Sequence, residues 1–477
     1  MHGDRAEDHI VLRECRRRSD LPAVIHPSGT LAWRELGERI HELAIGLLDI
    51  GLQPGQSVVL DMRPSPDTIA LFWACWFSGL IVLPLSARLP VNAIQETMER
   101  AGAVVRIFDG SRAVPGIQSI AIESLQGPQS GDHFLLHDLD RPATIMATSG
   151  SSGRPKLVVH SLANHFSNAQ GSETVIPLTQ DDRWLLSLPL DHVAGLSLLF
   201  RTFRQSASLI IPAPDESLSQ NLVRTRPTHV SLVATQLQRL LDDPDKPLEQ
   251  IELKALLLGG GPIPHELMER SIEAELPIHL SYGSTEMASQ ICTTRVQAAV
   301  DSESVGKALP GRDILISHEG EILTRGDCLA LGYWEENRLV PCTDEDGWFH
   351  TRDLGYLDVR QTLTITGRMD NQFISGGENI QPEIIERELL RHPSVSLALV
   401  VPEVDAEFGF RPVAFLRGRI SAASELDALL RRKLPGFMAP RAYYALPERF
   451  AEQGLKPDRQ ALIRHLGQQK NSLQVLS

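Results

Sequence analysis

Short apolar runs alternate with longer amphipathic segments through about the first 300 residues, and this alternation limits the fold more than any other feature of the chain. The apolar runs lie at 57–60, 104–107, 184–188, 208–211 and 255–258. Segments such as 33–48 and 216–224 have the apolar spacing of helices. Strands that alternate with helices need crossover connections, which favour a mainly parallel sheet covered by helices. The sequence therefore predicts an α/β fold for this part.

The uncharged stretch 68–87 is long enough to imitate a membrane span. Gly79, however, separates a helix-like run that ends at Ser78 from a strand-like run at 80–83. We therefore expect half of a βαβ unit and no transmembrane segment. The N-terminus lacks the features of a secretory signal, and the five scattered cysteines include no CxxC pair. These features indicate a cytoplasmic protein without a disulfide framework or a zinc site.

The pattern of turn residues changes at about residue 301. From there to 367, closely spaced turns separate short β-rich pieces, which predicts a small β-barrel or sandwich. After that, helices at 382–390 and 422–433 and strands at 397–401 and 413–416 predict an α+β unit. We therefore expect a large N-terminal domain over 1–367 and a smaller, mobile C-terminal domain over 368–477.

The chain is acidic overall. Lys and Arg total 46 and Asp and Glu total 60, which gives a formal net charge of −14. This balance argues against a nucleic-acid binder that relies on neutralising phosphates. An anionic small molecule would have to be met by local positive groups.

Residues 144–156 form the most informative segment. A β-like run enters a loop of small and hydroxyl residues that ends at Lys156, an arrangement that brings backbone N–H groups close to phosphate oxygens. It is not a GxxxxGK[ST] loop, because Pro155 precedes the lysine and no Ser or Thr follows it. A plain Gly/Ser turn is the alternative interpretation.

Three further segments carry polar groups suited to a nucleotide. Residues 281–286 combine an aromatic ring, a glycine, three Ser or Thr hydroxyls and the Glu286 carboxylate, a set able to contact a base, a phosphate and Mg²⁺. In 347–358, Asp353 could accept hydrogen bonds from both ribose hydroxyls. Residues 367–378 fall where the composition changes, as expected of a hinge. Taken singly, each segment could equally be a surface loop or turn.

In this order and at these separations, the four segments resemble those of the adenylate-forming superfamily of acyl-CoA synthetases, adenylation domains and luciferases. Lys456 matches the superfamily's catalytic lysine, so the resemblance covers essentially the whole chain. Within the superfamily, the runs 187–195, 375–383, 407–414 and 454–462 resemble the o-succinylbenzoate–CoA ligases of menaquinone biosynthesis most closely. Two positions depart from these patterns, since Asp191 replaces an aromatic residue and Pro457 an aliphatic one.

The resemblance implies an AMP-forming carboxylate–CoA ligase that uses ATP, Mg²⁺ and CoA. Lys456 would bridge the carboxylate and the α-phosphate, Thr285 would donate to the α-phosphate, and Glu286 would hold Mg²⁺. The β- and γ-phosphates would be covered by the loop residues Thr148, Ser149, Gly150, Ser151, Ser152, Gly153 and Lys156. The nucleoside would be contacted by Gly259, Gly260, Gly261, Ser281, Tyr282, Gly283, Asp353 and Arg368, of which Gly259 would also line the acyl site.

For the second half-reaction, the resemblance implies that CoA enters past Gly376 and Gly377 after the C-terminal domain turns about Asp370. The acid of the narrower family has two carboxylates, one activated and one free, so its pocket should contain a cation or several donors. Arg201 is the candidate, and a solvated arginine at a helix end is its alternative. His192 would gate the thiol channel or line the acyl pocket, and a buried, satisfied histidine is its alternative.

Three other functions stay open on the sequence alone. The first is an AMP-forming ligase for another aryl or medium-chain acid. The second is a non-catalytic nucleotide-binding or scaffold protein on the same fold, and the third is a carrier-protein adenylation module. The sequence also leaves a homo-oligomer open.

Overall fold

The computed structural model describes residues 10–86, 89–109, 114, 116–125, 138–148, 155–261, 263–295, 304–420, 422–451, 459–469 and 473–476. The predicted site residues Ser149, Gly150, Ser151, Ser152, Gly153 and Lys456 lie outside these ranges. Strands and helices are numbered below in chain order.

The first large sheet contains nine described strands in the order β15-β14-β13-β12-β11-β9-β10-β1-β2. The strands from β1 to β13 in this order pair in parallel, and β2, β14 and β15 pair antiparallel at the two edges. Their bounds are β1 Pro22–His26, β2 Gly29–Ala32, β9 Arg183–Leu185, β10 Ser208–Ile210, β11 His229–Leu232, β12 Ala255–Leu258, β13 Ile278–Ser284, β14 Ser289–Thr293 and β15 Lys307–Ala308.

The second large sheet contains eight described strands in the order β19-β18-β8-β7-β4-β3-β5-β6. The strands from β7 to β6 in this order are parallel, and β8, β18 and β19 are antiparallel to their neighbours. Their bounds are β3 Ser57–Asp61, β4 Ile81–Pro84, β5 Ala103–Phe108, β6 Ser119–Ala121, β7 Pro142–Thr148, β8 Lys156–Ser161, β18 Gly332–Glu335 and β19 Arg338–Val340. The predicted α/β fold with parallel sheets is confirmed.

Helices pack on these sheets in three apolar clusters. Their bounds are α1 Ile10–Arg18, α2 Trp33–Asp49, α3 Pro66–Phe77, α4 Val91–Ala101, α5 Leu162–Glu173, α6 Val193–Gln205, α7 Leu218–Thr225, α8 Ala234–Leu241 and α9 His265–Glu273. The helix α3 begins where the Ser65 hydroxyl caps the Thr68 N–H, with Pro66 in its first turn. It is buried all round, as expected of a core helix. Among the described helices, none has the length and apolar character needed to cross a bilayer.

The β-rich segment differs from the predicted small barrel or sandwich. Four of its described strands form an antiparallel sheet in the order β16-β17-β20-β21. Of the other three, β15 pairs with β14 in the first large sheet. The strands β18 and β19 extend the second large sheet, because Leu331 and Trp334 pack against the apolar core of that sheet. The bounds of the four strands are β16 Arg312–Ile316, β17 Glu321–Gly326, β20 Phe349–Leu357 and β21 Leu363–Arg368.

After a 3₁₀ turn at Met369–Asn371, the described strands pair only among themselves. Two apolar clusters cover the two faces of the sheet β24-β25-β26. The two-domain division stays a prediction. The elements here are β22 Phe373–Ser375, β23 Glu378–Ile380, α10 Pro382–Leu389, β24 Val395–Asp405, β25 Gly409–Gly418, α11 Ala423–Lys433, β26 Tyr443–Ala445, α12 Glu448–Ala451 and α13 Arg459–Gln469.

Candidate active site

The predicted phosphate loop joins two antiparallel strands. Thr148, the last residue of β7, pairs with Lys156, the first residue of β8. The strands β7 and β8 therefore form a hairpin within the second large sheet, called the phosphate hairpin below. Lys156 is exposed, so its ammonium group can reach an anion in solvent.

Tyr333 links Lys156 to Glu286, and the sequence had not indicated it. The Lys156 Nζ donates to the Tyr333 hydroxyl at 3.4 Å and lies 4.6 Å from the centre of the ring. The Tyr333 hydroxyl donates to Glu286 Oε1 at 2.9 Å. Burial, together with the Glu286 charge, raises the pKa of Tyr333 above its usual value, so the hydroxyl stays a donor. The predicted magnesium ligand and the phosphate-loop lysine therefore meet at one tyrosine.

Thr285 and Glu286 lie in a tight turn between β13 and β14. A Cβ on Gly283 would come within 1.7 Å of the Ser289 carbonyl oxygen, so only glycine fits there. Ala288 and Ser289 have φ values of 52° and 120°, which side chains rarely adopt. This strained backbone fixes the position of the turn.

A buried histidine lies behind the same turn. His160 of β8 interacts with the backbone of Thr285 and Glu286, which raises its pKa, but the larger effect of complete burial lowers that pKa to about 4. Its ring is tilted by 37° against that of His165, with centroids 4.9 Å apart, and the pKa of His165 is lowered well below its usual value by burial. Both rings are therefore neutral near pH 7.

The residues around Glu286 suit magnesium that is shared with a nucleotide. Within the described ranges, no group of three or more His, Cys, Asp or Glu side chains is arranged to hold a metal alone. Mg²⁺ usually binds through one or two carboxylates and completes its shell with phosphates and water. One oriented carboxylate beside a phosphate loop fits that pattern.

The predicted ribose site forms where β20 pairs with β21. Asp353 and Arg368 are opposite each other in this pair, and Arg368 Nη1 lies 3.0 Å from Asp353 Oδ1. The Tyr282 hydroxyl donates to Asp353 Oδ2 at 2.6 Å. Burial, and then the Asp353 charge, raise the pKa of Tyr282 well above its usual value. In this structure, the Tyr282 hydroxyl is therefore a hydrogen-bond donor that orients the Asp353 carboxylate.

The glycine turn after β12 lies beside this group. Gly260 has a φ of +91°, and a Cβ on Gly259 would be 3.0 Å from the Ser281 carbonyl oxygen. The two parallel strands β12 and β13 thus bring Gly259 next to Ser281, whereas a Cβ on Gly260 would face Val233 and one on Gly261 would meet no atom within 4 Å. Of these predicted nucleoside contacts, the structure brings Gly259 and Ser281 together.

His192 and Arg201 both lie at or in the helix α6. His192 immediately precedes the helix and is exposed, so its interpretation as a buried, satisfied histidine is wrong. Gly195 allows the first turn of α6 to approach the backbone of Pro189 closely, since a Cβ on Gly195 would lie 2.1 Å from the Pro189 carbonyl oxygen. The predicted gate or wall role of His192 stays a prediction.

Arg201 is 1% exposed, so its interpretation as a solvated arginine is also wrong. Its Nη2 lies 3.4 Å from the Ser289 hydroxyl, and its guanidinium lies 5.4 Å from the Trp184 ring. Among the described residues, its Nε and Nη1 have no hydrogen-bond partner. Burial, and to a lesser extent Arg312, lower the pKa of Arg201 to about 9. A charged group with two unfilled donors is thus buried beside the strained turn.

Gly376 and Gly377 form the turn between β22 and β23, with φ values of +57° and +88°. Both are exposed, and a Cβ on Gly377 would have no atom within 4 Å. In this structure the two glycines therefore do not pack against the residues that are predicted to contact the nucleotide and the acid substrate. Asp370, the predicted hinge, precedes this turn and bonds to Arg352 and Arg368.

The segment that follows Lys456 is firmly attached. Arg459 Nη1 and Nη2 bond to the two oxygens of Glu386, at 2.6 and 3.0 Å, and Arg459 also donates to the Val400 carbonyl. Bidentate pairs of this kind are among the stronger polar contacts in proteins. The start of α13 is therefore fixed to α10.

The lysine predicted to contact phosphate, the predicted magnesium carboxylate and the predicted ribose carboxylate lie on the two α/β sheets and the antiparallel sheet, as expected of an adenylate-forming enzyme. A family profile described as AMP-binding enzyme matches residues 11–334, and the chain belongs to that family. Within it, the chain is a member of the 2-succinylbenzoate–CoA ligases. The enzyme of that name from Escherichia coli (strain K12) is 37% identical over 433 residues, which cover 91% of this chain and 92% of the relative. That from Bacillus cytotoxicus is 32% identical, with 87% and 89% covered.

Solved structures agree with this assignment. The chain is similar to wild-type E. coli MenE with a bound analogue of OSB-AMS, with a TM-score of 0.82, 35% identity, and 98% of this chain and 100% of that chain covered. It is also similar to o-succinylbenzoate CoA synthetase from Bacillus subtilis in complex with ATP and magnesium ion. There the TM-score is 0.81, the identity 28%, and the covered shares 91% and 95%. The chain is accordingly an AMP-forming carboxylate–CoA ligase, as the sequence predicted.

Proposed function

We propose that the protein is a cytoplasmic ligase that joins 2-succinylbenzoate to CoA through an acyl-adenylate and releases pyrophosphate and AMP. We further propose that it works without a nucleic acid, as its acidic charge favours. The assignment of the acid rests above all on Arg201.

A buried guanidinium without an anionic partner is costly, and the cost is recovered when a ligand supplies the anion. The Nε and Nη1 donors of Arg201 lie on different edges of the guanidinium, and a carboxylate oxygen can accept from either of them. 2-Succinylbenzoate retains one free carboxylate after the other is activated. A monocarboxylic aryl or medium-chain acid would leave both donors unfilled, so the dicarboxylate fits better.

In the first half-reaction, a carboxylate oxygen of the acid attacks the α-phosphorus of ATP, and the bond to pyrophosphate breaks. The chain's own groups would hold the reacting atoms and stabilise the negative charge that develops on oxygen. Lys156 and the hairpin loop would hold the β- and γ-phosphates, Thr285 the α-phosphate, and Asp353 with Arg368 the ribose. Magnesium held by Glu286 would neutralise phosphate charge and favour departure of pyrophosphate.

In the second half-reaction, the CoA sulfur attacks the acyl carbonyl carbon, the thiol proton is lost, and AMP leaves. Gly376 and Gly377 are exposed in the present arrangement. Rotation about Asp370 would bring them to the site. The same rotation would carry Lys456 away, since the residues after it are fixed to α10.

The test is AMP formation across matched acids. 2-Succinylbenzoate is compared with 4-oxo-4-phenylbutanoate, which lacks the ring carboxylate, and with 2-butanoylbenzoate, which lacks the chain carboxylate. We expect CoA-dependent AMP formation with 2-succinylbenzoate at a kcat/KM at least about a hundredfold above either analogue, as for a site built for a polar group. Equal turnover of the three acids would refute the proposed substrate.

A further inference from the structure

The segment 330–333 holds Glu286 at two points. The Ala330 N–H donates to the Glu286 carbonyl oxygen at 2.7 Å, and the Tyr333 hydroxyl donates to the Glu286 carboxylate at 2.9 Å. One bond fixes the backbone of the residue, and the other fixes the direction of its side chain.

Tyr333 is itself held by a strand. In β18, Gly332 and Tyr333 pair with Val159 and Val158 of β8, the strand that begins at Lys156. The ring of Tyr333 is therefore carried by the same sheet that carries the phosphate hairpin. A group on this rigid element can set the position of the carboxylate relative to the triphosphate.

We propose that Tyr333 is a positioning residue that orients the Glu286 carboxylate towards magnesium bound with ATP. This inference rests on the proposed function, because it takes Glu286 as the magnesium ligand. The hydroxyl occupies Oε1 and so directs the remaining acceptor positions of the carboxylate to the metal. Hydrogen bonds that orient a metal ligand are usually needed for full metal affinity.

Lys156 contacts the same tyrosine. Within the described residues it forms no ion pair, and its contacts are the Tyr333 hydroxyl and ring. Because Lys156 is exposed, a neutral hydroxyl and a half-buried ring hold its ammonium group weakly. Lys156 therefore exchanges Tyr333 for a phosphate when ATP binds, while the bond from Tyr333 to Glu286 persists.

The variant Tyr333→Phe tests the role, because it keeps the ring and removes the hydroxyl. Tyr443→Phe is the matched control, since its hydroxyl lies 3.5 Å from Asp427 in the C-terminal part of the chain. We expect Tyr333→Phe to raise the magnesium concentration that gives half-maximal pyrophosphate release by about tenfold, the low end of effects from such partners. The control should keep the original requirement.

A second measurement needs no acid substrate. Binding of Mn²⁺ in the presence of ATP, followed by electron paramagnetic resonance, should weaken about tenfold in Tyr333→Phe. In a Glu286→Gln background the Tyr333→Phe change should have no further effect, because the hydroxyl acts through the carboxylate. Unchanged Mn²⁺ binding in Tyr333→Phe, or equal losses in both backgrounds, would overturn the inference. Intact Mn²⁺ and ATP binding without turnover of 2-succinylbenzoate would instead contradict the proposed function.

Discussion

Arg352 donates two hydrogen bonds to one carboxylate oxygen of Asp370, from Nε at 3.3 Å and from Nη2 at 3.0 Å. The bonds connect β20, which carries the predicted ribose carboxylate Asp353, to the predicted hinge. Arg352 has a φ of 62°, a left-handed conformation that favours glycine. A strained residue thus holds the hinge in the present arrangement.

This strain predicts which of two variants at position 352 is the more stable. Arg352→Gly and Arg352→Ala both lose the exposed ion pair, which contributes at most about 1 kcal/mol. Only glycine also relieves the backbone, by about 1 kcal/mol. Urea unfolding should therefore show Arg352→Gly to be more stable than Arg352→Ala by about that amount. An alanine variant as stable as the glycine variant would contradict the strain.

Lys456 should separate the two half-reactions. Arg459 fixes the following residues to Glu386, so we expect the lysine to move with the C-terminal part of the chain. Lys456→Ala should lower adenylate formation by at least about a hundredfold, because a preorganised cation is lost, and should preserve thioester formation from synthetic acyl-adenylate. Lys433→Ala, at the exposed end of α11, is the control. Equal loss of both half-reactions would refute the assignment.

Gly377 should give the opposite separation. A side chain there meets open space in this structure but has an unfavourable φ of +88°. Gly51 has a φ of +87° and the same open surroundings, so Gly51→Leu controls for backbone strain. Gly377→Leu should keep pyrophosphate release and reduce thioester formation by at least about tenfold, because the added side chain obstructs the thiol path. Preserved thioester formation would remove Gly377 from that path.

Buried histidines should make the protein less stable in mild acid. Burial is the main cause that lowers the pKa of His160, and separately that of His229, to about 4. In the unfolded chain these rings take up a proton near pH 6.5, so the unfolded state binds more protons between pH 6.5 and about 4. The free energy of unfolding should fall by about 2 kcal/mol per histidine between pH 7 and pH 5. Urea unfolding of His160→Gln should show a smaller fall than that of the control His318→Gln, and equal falls would contradict it.

The sequence could predict contacts that depend on local pattern. A strand, a small-residue loop and Lys156 lie within one segment, and Asp353 and Arg368 face each other in a simple strand pair. Tyr333 could not be found this way, because its role depends on β18 leaving its own segment to pair with β8. The sequence also could not show that Arg201 is buried with donors unfilled, since helix periodicity gives a face and not its partners. Such pairings are set by the packing of distant segments.

Arg201 should favour function at the expense of stability. Replacing a buried, unpartnered cation with an apolar side chain of similar length removes its desolvation cost, so the ligand-free Arg201→Met variant should be more stable, by about 1 kcal/mol or more in urea unfolding. The same change leaves the free carboxylate of 2-succinylbenzoate unpaired. The value of kcat/KM for that acid should therefore fall by an amount that corresponds to roughly 2 to 4 kcal/mol of activation free energy. Arg201→Lys should recover part of this loss, because an ammonium group keeps the charge but not the planar fork.

Residual turnover of 4-oxo-4-phenylbutanoate and of 2-butanoylbenzoate serves as the control. Whichever analogue lacks the carboxylate that meets Arg201 should lose far less activity than 2-succinylbenzoate. If Arg201→Met is less stable than the unaltered protein and loses activity equally towards all three acids, then Arg201 supports the fold and not the ligand.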